Sequence, residues 1–184
     1  VPLETLEELV GYLNHKDSGL QYSVETVLNA LKAGVAPVVP RLAALLPQES
    51  EASLRALRVL RNTGLGASSA ALFAAPLLRA SRADIRGAAA EFLKSLAVAG
   101  DSNVPADELK ASLVSGSPGC LATLEVIQAY GKNATLVTGA VITLLSAGDE
   151  AEREAAQTCM DHLSRSGAMS AEQLVLLLTE EKEG

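Results

Sequence analysis

The sequence predicts an all-α fold built from repeated helical hairpins, and two observations lead to that prediction. The segment of residues 50–64, SEASLRALRVLRNTG, places its leucines on one stripe of a helix. An apolar pair then recurs four and seven residues before a glycine, at intervals of roughly 30 to 40 residues, which is the length class of helical repeats. The four sets are Leu57, Leu60 and Gly64; Leu93, Leu96 and Gly100; Leu124, Ile127 and Gly131; and Met160, Leu163 and Gly167. No segment alternates apolar and polar residues for long enough to indicate a strand.

The helices predicted in the first hundred residues are 2–14, 22–34, 40–46, 50–64, 67–78 and 81–100. The third is short because Pro37 and Pro40 cannot both lie inside a regular helix. The fourth has Ser50 as its N-cap and Gly64 as the left-handed residue that ends it. Ser81 is predicted to cap the sixth helix. Consecutive helices pair as hairpins.

The helices predicted in the remainder are 104–113, 117–131, 133–145, 148–167 and 170–178. Asn133 is predicted to cap the ninth, which is apolar around most of its circumference and therefore expected to be covered on more than one side. The tenth should bury Cys159 and expose Glu152 and Glu154 to water. Ser170 opens the last helix with a capping sequence.

The composition excludes several classes of partner. Hydrophobic residues make up 48% of the 184 residues, only 3% are aromatic, and the formal net charge is −7. An anionic nucleic acid or membrane surface would be repelled at long range, so we expect neither as a partner. Cys120 and Cys159 fall inside predicted helices, which favours small buried side chains over a disulfide and indicates a reducing, cytoplasmic location.

The most apolar segment, residues 134–145, is about half the length that spans a bilayer, so no membrane span is expected. Residues 1–184 are predicted to form a single helical repeat domain. The chain opens with Val1 and Pro2, without a methionine or the pattern of a signal peptide. We therefore expect it to be a piece of a longer protein or to carry a tag remnant.

Apolar pairs ahead of glycines in paired helices, together with the leucine-rich segment PRLAALL at 40–46, resemble the armadillo and HEAT superfamily. The resemblance covers Leu3 to Leu178. It implies a right-handed α-solenoid of about five helical hairpins plus a final helix, which binds other proteins along a concave groove and needs no cofactor. The units are nearer the two-helix HEAT length than the three-helix armadillo length, and Asn62 occupies a place comparable to the armadillo groove asparagine.

The candidate partner-binding residues are Arg55, Arg58, Arg61 and Asn62, which share the polar side of helix 50–64. Guanidinium groups bind carboxylates well, so this strip could hold acidic or main-chain groups of an extended protein or peptide partner. The alternative is a solvated face whose arginines pair with Glu49 or Glu51. No catalytic, cofactor-binding or metal-binding residue is predicted.

Three functions fit the sequence. The first is a protein–protein interaction module, a scaffold or adaptor, and it is favoured because the repeat carries no concentrated chemistry. The second is a lyase-type enzyme of the HEAT-like class, with a pocket formed by Tyr22, Tyr130, Cys159 and His162. The third is an oligomerisation or end-capping block that self-associates through exposed terminal repeats.

The predicted seam between hairpins is tested by Leu124→Asp. An unpaired charge at a position buried between helices should unfold the protein or make it aggregate. Thermal unfolding followed by circular dichroism measures this, and a variant that melts like the parent would show that the seam lies elsewhere.

Overall fold

The computed structural model describes residues 1–168, and every regular element in that part of the chain is helical. The predicted all-α solenoid class is confirmed. The helix predicted at 170–178 lies outside the described residues. Contacts divide the chain into two compact units, Val1–Asp101 and Ser102–Gly184, and each is described by itself. That residues 1–184 act as a single domain stays a prediction.

The first unit contains six α-helices in chain order. They are α1 Leu3–Tyr12, α2 Ser18–Leu31, α3 Val39–Ala43, α4 Glu51–Thr63, α5 Ala71–Ala74 and α6 Ala83–Val98. Four 3-10 helices join them, at Lys32–Val38, Leu46–Gln48, Gly64–Ala70 and Ala75–Arg79. The even-numbered helices are the second helices of their hairpins, and α4 packs against both α2 and α6.

The second unit contains four α-helices within the described residues. They are α7 Ala106–Ser112, α8 Cys120–Tyr130, α9 Thr138–Ala147 and α10 Glu150–Ser166, with a 3-10 helix at Gly131–Val137. Here α10 packs against both α8 and α9. The second helices α8 and α10 therefore lie side by side, as α2 and α4 do in the first unit.

The apolar pair ahead of each glycine lies in the core of its unit. All eight residues of the four pairs are buried, with at most 2% of any of them exposed. The four glycines all have positive φ. Each buried leucine contributes roughly 1.5 to 3 kcal/mol, and the glycine lets the chain turn directly after the last buried residue. The repeat read from the sequence is therefore also the repeat of the core.

Two kinds of junction follow the second helices. After α6 and α10 the chain closes a Schellman-type cap, in which Asp101 N–H donates to Leu96 O and Ala168 N–H donates to Leu163 O, both at 3.0 Å. After α2, α4 and α8 the junction residue has φ from 47 to 70° and ψ from −123 to −145°, and a seven-residue 3-10 helix begins there. These dihedrals resemble the first central position of a type II′ turn, which favours glycine.

Lys32 is the junction residue after α2, with φ 47° and ψ −123°. The sequence hides this fifth copy of the junction because no glycine marks it. Counted back from Lys32, the residue at minus four is the buried Leu28 and the residue at minus seven is Glu25, which is also buried. The first hairpin thus follows the same register as the others.

Several helix boundaries predicted from the sequence are wrong. The second helix, predicted over 22–34, is the α-helix Ser18–Leu31, and a 3-10 helix follows it from Lys32. The segment 67–78 is not one α-helix, because a 3-10 helix leads into it and Pro76, without an N–H, lies in another that ends it. Asn133 does not cap α9: it lies inside the 3-10 helix that starts at Gly131, and α9 begins at Thr138. Ser81 does not cap α6, since its hydroxyl donates instead to Glu49 at 3.4 Å.

Glu152 is buried, whereas the sequence pattern predicted that it faces water. Its carboxylate accepts hydrogen bonds from Ser115 Oγ and Gly116 N, both at 2.7 Å, because the loop between α7 and α8 folds over the start of α10. The hydrogen bond from Ser115, followed by that from Gly116, lowers the pKa of Glu152 below its usual value. This carboxylate therefore holds the loop against α10.

Replacing Lys32 by glycine should stabilise the protein. A lysine at this junction is strained by its Cβ, and relief of that strain by about 1 to 2 kcal/mol exceeds the roughly 0.4 to 1 kcal/mol of extra chain entropy in the unfolded state. The urea midpoint of Lys32→Gly should rise. Gly64→Ala is the matched control: a Cβ there meets nothing within 4 Å, so its lower midpoint would report backbone strain alone. An unchanged or lower midpoint for Lys32→Gly would contradict this account of the junction.

Candidate partner-binding site

Helix α4 carries the candidate residues, and both of its ends are fixed by its sequence. Ser50 and Ser53 form a capping box in which Ser50 N–H donates to Ser53 Oγ at 3.0 Å and Ser53 N–H donates to Ser50 Oγ at 3.4 Å. The other end stops at Gly64, which has φ 70°. Because Leu57 and Leu60 are fully buried, the rotation of α4 about its axis is set as well. The polar residues are thereby held in fixed directions.

Arg55 is buried and is held by two carboxylates. Its Nη1 lies 2.6 Å from Glu25 Oε2 of α2, and its Nη2 lies 3.3 Å from Glu51 Oε1 one turn earlier in α4. Only 11% of the Arg55 side chain and 10% of the Glu25 side chain are exposed. Arg55 therefore joins α2 to α4, and its guanidinium is already occupied. Among the residues that the structure describes, none offers a hydrogen-bond partner to the Nε atom of Arg55.

Arg58 and Arg61 differ from Arg55, since 49% of each side chain is exposed. Arg58 Nη1 lies 3.7 Å from Glu25, and Arg61 Nη1 lies 3.9 Å from Glu91 of α6. At these distances the ion pairs are loose and partly solvated, so each holds its arginine by only a fraction of a kcal/mol, about 0.2 to 1. Both guanidinium groups can turn toward a carboxylate brought by another molecule.

Asn62 lies beside these arginines and bonds across to α2. Its Nδ2 donates to Asn29 Oδ1 at 2.9 Å. On the α6 side, Lys94 Nζ lies 2.7 Å from Glu91. The hydrogen bond with Lys94, and then the charges of Lys94 and Arg61, lower the pKa of Glu91. Polar side chains thus cross-link α2, α4 and α6 on the face that carries Arg58 and Arg61.

The alternative prediction was a solvated face whose arginines pair with Glu49 or Glu51. For Arg55 the pairing with Glu51 is correct, but the side chain is buried and not solvated. Glu51 does pair with it, whereas Glu49 accepts from the backbone and side chain of Ser81. Glu25 was not foreseen as a partner. The sequence carries no signal for it, because the register that places Glu25 where other repeats have a buried leucine or methionine is counted from Lys32, a junction that only the structure shows. That the four residues bind a partner stays a prediction.

The residues considered for catalysis belong to both units: Tyr22 lies in the first, and Tyr130, Cys159 and His162 lie in the second. Cys159 is buried with its Sγ 3.8 Å from Leu124 O, and His162 is exposed. Burial raises the pKa of Cys159 to about 12, and burial followed by the charge of Glu152 raises that of Cys120 to about 11. Both thiols are therefore protonated at neutral pH, and a thiol in that state is a poor nucleophile.

A groove on the second unit was not predicted. It lies between α8 and α10 and has a volume of about 360 Å³. We call it the α8–α10 groove, and its lining includes Leu121, Leu124, Gln128, Glu154, Ala155 and Thr158. The signal for it in the sequence is weak: small residues stand on α10 at positions that face α8, where a larger side chain would close the gap.

Within residues 1–168, no helix combines the length and hydropathy required to cross a bilayer. In the same residues, no three His, Cys, Asp or Glu side chains are grouped closely enough to hold a metal ion.

The comparisons with known proteins concern the fold. No protein-family profile matches the chain, and no curated protein matches it. Among solved structures it is similar to three engineered proteins from the Northeast Structural Genomics Consortium. The first has a TM-score of 0.55 at 18% identity and covers 89% of this chain and 81% of its own. The second has a TM-score of 0.55 at 18% identity, covering 96% and 54%, and the third has 0.53 at 19%, covering 95% and 90%. These likenesses support an all-helical repeat fold and carry no statement about function.

The Arg55–Glu25 pair can be tested by comparing a single with a double substitution. Arg55→Ala leaves the buried carboxylate of Glu25 with only the looser ion pair to Arg58. It should lower the free energy of unfolding by about 3 kcal/mol, the low end of the range for a broken buried ion pair. The double variant Glu25→Leu/Arg55→Met restores the apolar residue found at this register in other repeats and should lie within about 1 kcal/mol of the parent. Urea unfolding measures both. Equal losses in the single and double variants would contradict the buried-pair account.

Proposed function

We propose that this protein is a protein-interaction module of the armadillo/HEAT-like kind, which binds a segment of a partner protein along the exposed side of its second helices. The observation that carries the proposal is the arrangement on α4. Arg58 and Arg61 stand half-exposed and loosely paired beside Asn62, on a helix whose other side is buried. Because the buried side of α4 fixes the helix in place, the surface can bind a partner with little loss of backbone conformational entropy.

The chemistry of this surface favours an acidic segment in an extended conformation. Arg58 and Arg61 are three residues apart and so lie nearly one above the other along α4. Each guanidinium could exchange its loose ion pair for a two-pronged bond to a partner carboxylate. The amide of Asn62 could at the same time bond a main-chain group of the segment. Arg55 has no direct contact in this proposal; it positions α4 against α2.

Two features support the remaining parts of the proposal. The two free, buried cysteines suit a reducing compartment, and we therefore propose that the protein works in the cytoplasm. The net charge of −7 disfavours nucleic acid as the partner, since the loose cations of α4 are few.

The function is tested by charge reversal at the two exposed arginines. The parent, Arg58→Glu/Arg61→Glu and Arg41→Glu are each immobilised and exposed to a cell extract, and the retained proteins are quantified by mass spectrometry. Arg41 is the matched control because it is an exposed arginine, on α3, with a single ion pair to Glu7 at 3.3 Å. We expect the double variant to lose, at least tenfold, proteins that parent and control retain. The two glutamates would repel the acidic partner where the two arginines attract it, and this change should weaken the free energy of binding by on the order of 2 to 4 kcal/mol.

Circular dichroism and urea unfolding of all three proteins check that the fold is retained. If the parent and both variants retain the same proteins in equal amounts, the α4 surface is not the binding site. If no protein is retained specifically by the parent, the interaction function itself fails.

A further inference from the structure

The junction residues put the two units in one register. Lys32 and Gly131 share nearly the same dihedrals and each begins a seven-residue 3-10 helix. Gly64 and Gly167 end the second helix that follows each of them. Counting back from these residues makes α2 equivalent to α8 and α4 equivalent to α10. In all four helices the residues four, seven and eight positions before the junction residue are buried, which supports the equivalence.

In the first unit, Arg55 fills the space between the second helices α2 and α4. This residue stands nine positions before Gly64 and reaches across to Glu25, at minus seven in α2. Its second carboxylate partner, Glu51, stands at minus thirteen in α4. A guanidinium with its aliphatic stem is therefore the natural occupant of this space, and the chain supplies it.

In the second unit the chain leaves the equivalent space open. The position nine before Gly167 is Thr158, whose short side chain lines the α8–α10 groove of about 360 Å³. The equivalent of Glu25 is Leu124, which is buried and also lines the groove. The equivalent of Glu51 is Glu154. The second unit thus has a carboxylate, that of Glu154, at the position equivalent to Glu51, but it has no arginine at the position equivalent to Arg55.

The charge of the groove fits a cationic occupant. Within residues 1–168, its lining includes the carboxylates of Glu125 and Glu154 and contains neither lysine nor arginine. Glu125 has an interaction of its own within the chain, so the argument depends on Glu154. Glu154 is exposed, and its carboxylate has no ion pair or hydrogen bond in the described part of the chain.

We propose that the α8–α10 groove binds an arginine side chain of the partner protein, in the position that Arg55 occupies between α2 and α4. This inference rests on the proposed interaction function and names one chemical group that the partner must supply. The aliphatic stem of the arginine packs on Leu121 and Leu124. Its guanidinium fork bonds Glu154, and the amide oxygen of Gln128 provides a further acceptor. An ammonium group matches this site less well because it lacks the planar fork.

The probe is the peptide acetyl-Ala-Arg-Ala-amide, titrated into the protein while the methyl signals of Leu121 and Ala155 are followed by NMR. Two control peptides carry citrulline, which has the shape of arginine without its charge, or lysine. We expect saturable shifts at these methyls with the arginine peptide, and affinities for the two controls that are weaker by roughly threefold or more, as for an exposed ion pair. Equal shifts with all three peptides, or no shifts at these methyls, would overturn the proposal.

Three variants make the test specific. Glu154→Gln should remove the preference for arginine over citrulline. Thr158→Arg should abolish the shifts, because its own guanidinium then fills the groove one turn after Glu154, where a Glu–Arg pair is favourable. Asp107→Asn on α7 is the matched control, since it removes an exposed carboxylate of the same unit away from the groove. Unchanged discrimination in Glu154→Gln would overturn the proposal even if Thr158→Arg did not fold.

The same variants separate this inference from the proposed function. If Glu154→Gln and Thr158→Arg retain all proteins captured by the parent, whereas Arg58→Glu/Arg61→Glu loses them, the interaction function stands and the arginine groove fails. If the groove variants lose captured proteins and the Asp107→Asn control does not, both stand.

Discussion

The structure depends on one constraint: a second helix must bury an apolar pair and then turn sharply within four residues. The buried pair fixes how the helix is rotated, and the positive-φ residue after it sends the chain into the next hairpin. Hydrophobic burial and backbone conformation therefore act at the same place in each of the four repeats whose second helix ends at a glycine. Because each hairpin leaves apolar surface uncovered by its own helices, its neighbour within the unit is needed to cover it. In each unit taken by itself, the candidate binding surface lies on the side of the second helices that their neighbours leave uncovered.

The first hairpin departs from the pattern in two ways that are linked by register. It has a lysine where the turn favours glycine, and it has Glu25 where the other repeats bury an apolar side chain. A buried carboxylate would be strongly destabilising alone, and Arg55 compensates it at 2.6 Å. The pair adds little net stability compared with a leucine, but it accepts only one arrangement of α2 on α4. We infer that the gain is specificity of packing, and here that packing also sets the positions of Arg58 and Asn62.

The same register serves different purposes in the two units. Nine residues before the glycine that ends it, α4 has Arg55, which fills the space between α2 and α4. At the same position α10 has Thr158, whose short side chain leaves a groove beside α8. Glu51 and Glu154 stand at the same register position, yet only Glu51 has a guanidinium to bind within the described residues. A repeat architecture lets one position be structural in one copy and open in another, because changing it disturbs only the neighbouring helices.

The sequence alone determined the all-α class, the positions of most second helices, and the core pairs ahead of the four glycines, since these follow from local periodicity and helix-stop signals. The bounds of α4 were correct because its cap and its stop are both written in residues 50–64. Only the tertiary structure decided that Arg55 is buried, that Glu152 accepts bonds from a distant loop, and that a groove opens beside Thr158. Each of these depends on residues about 30 to 40 positions away along the chain, one repeat apart. Periodicity within a helix reports which side is apolar, but it cannot report which polar side chains an adjacent helix will cover.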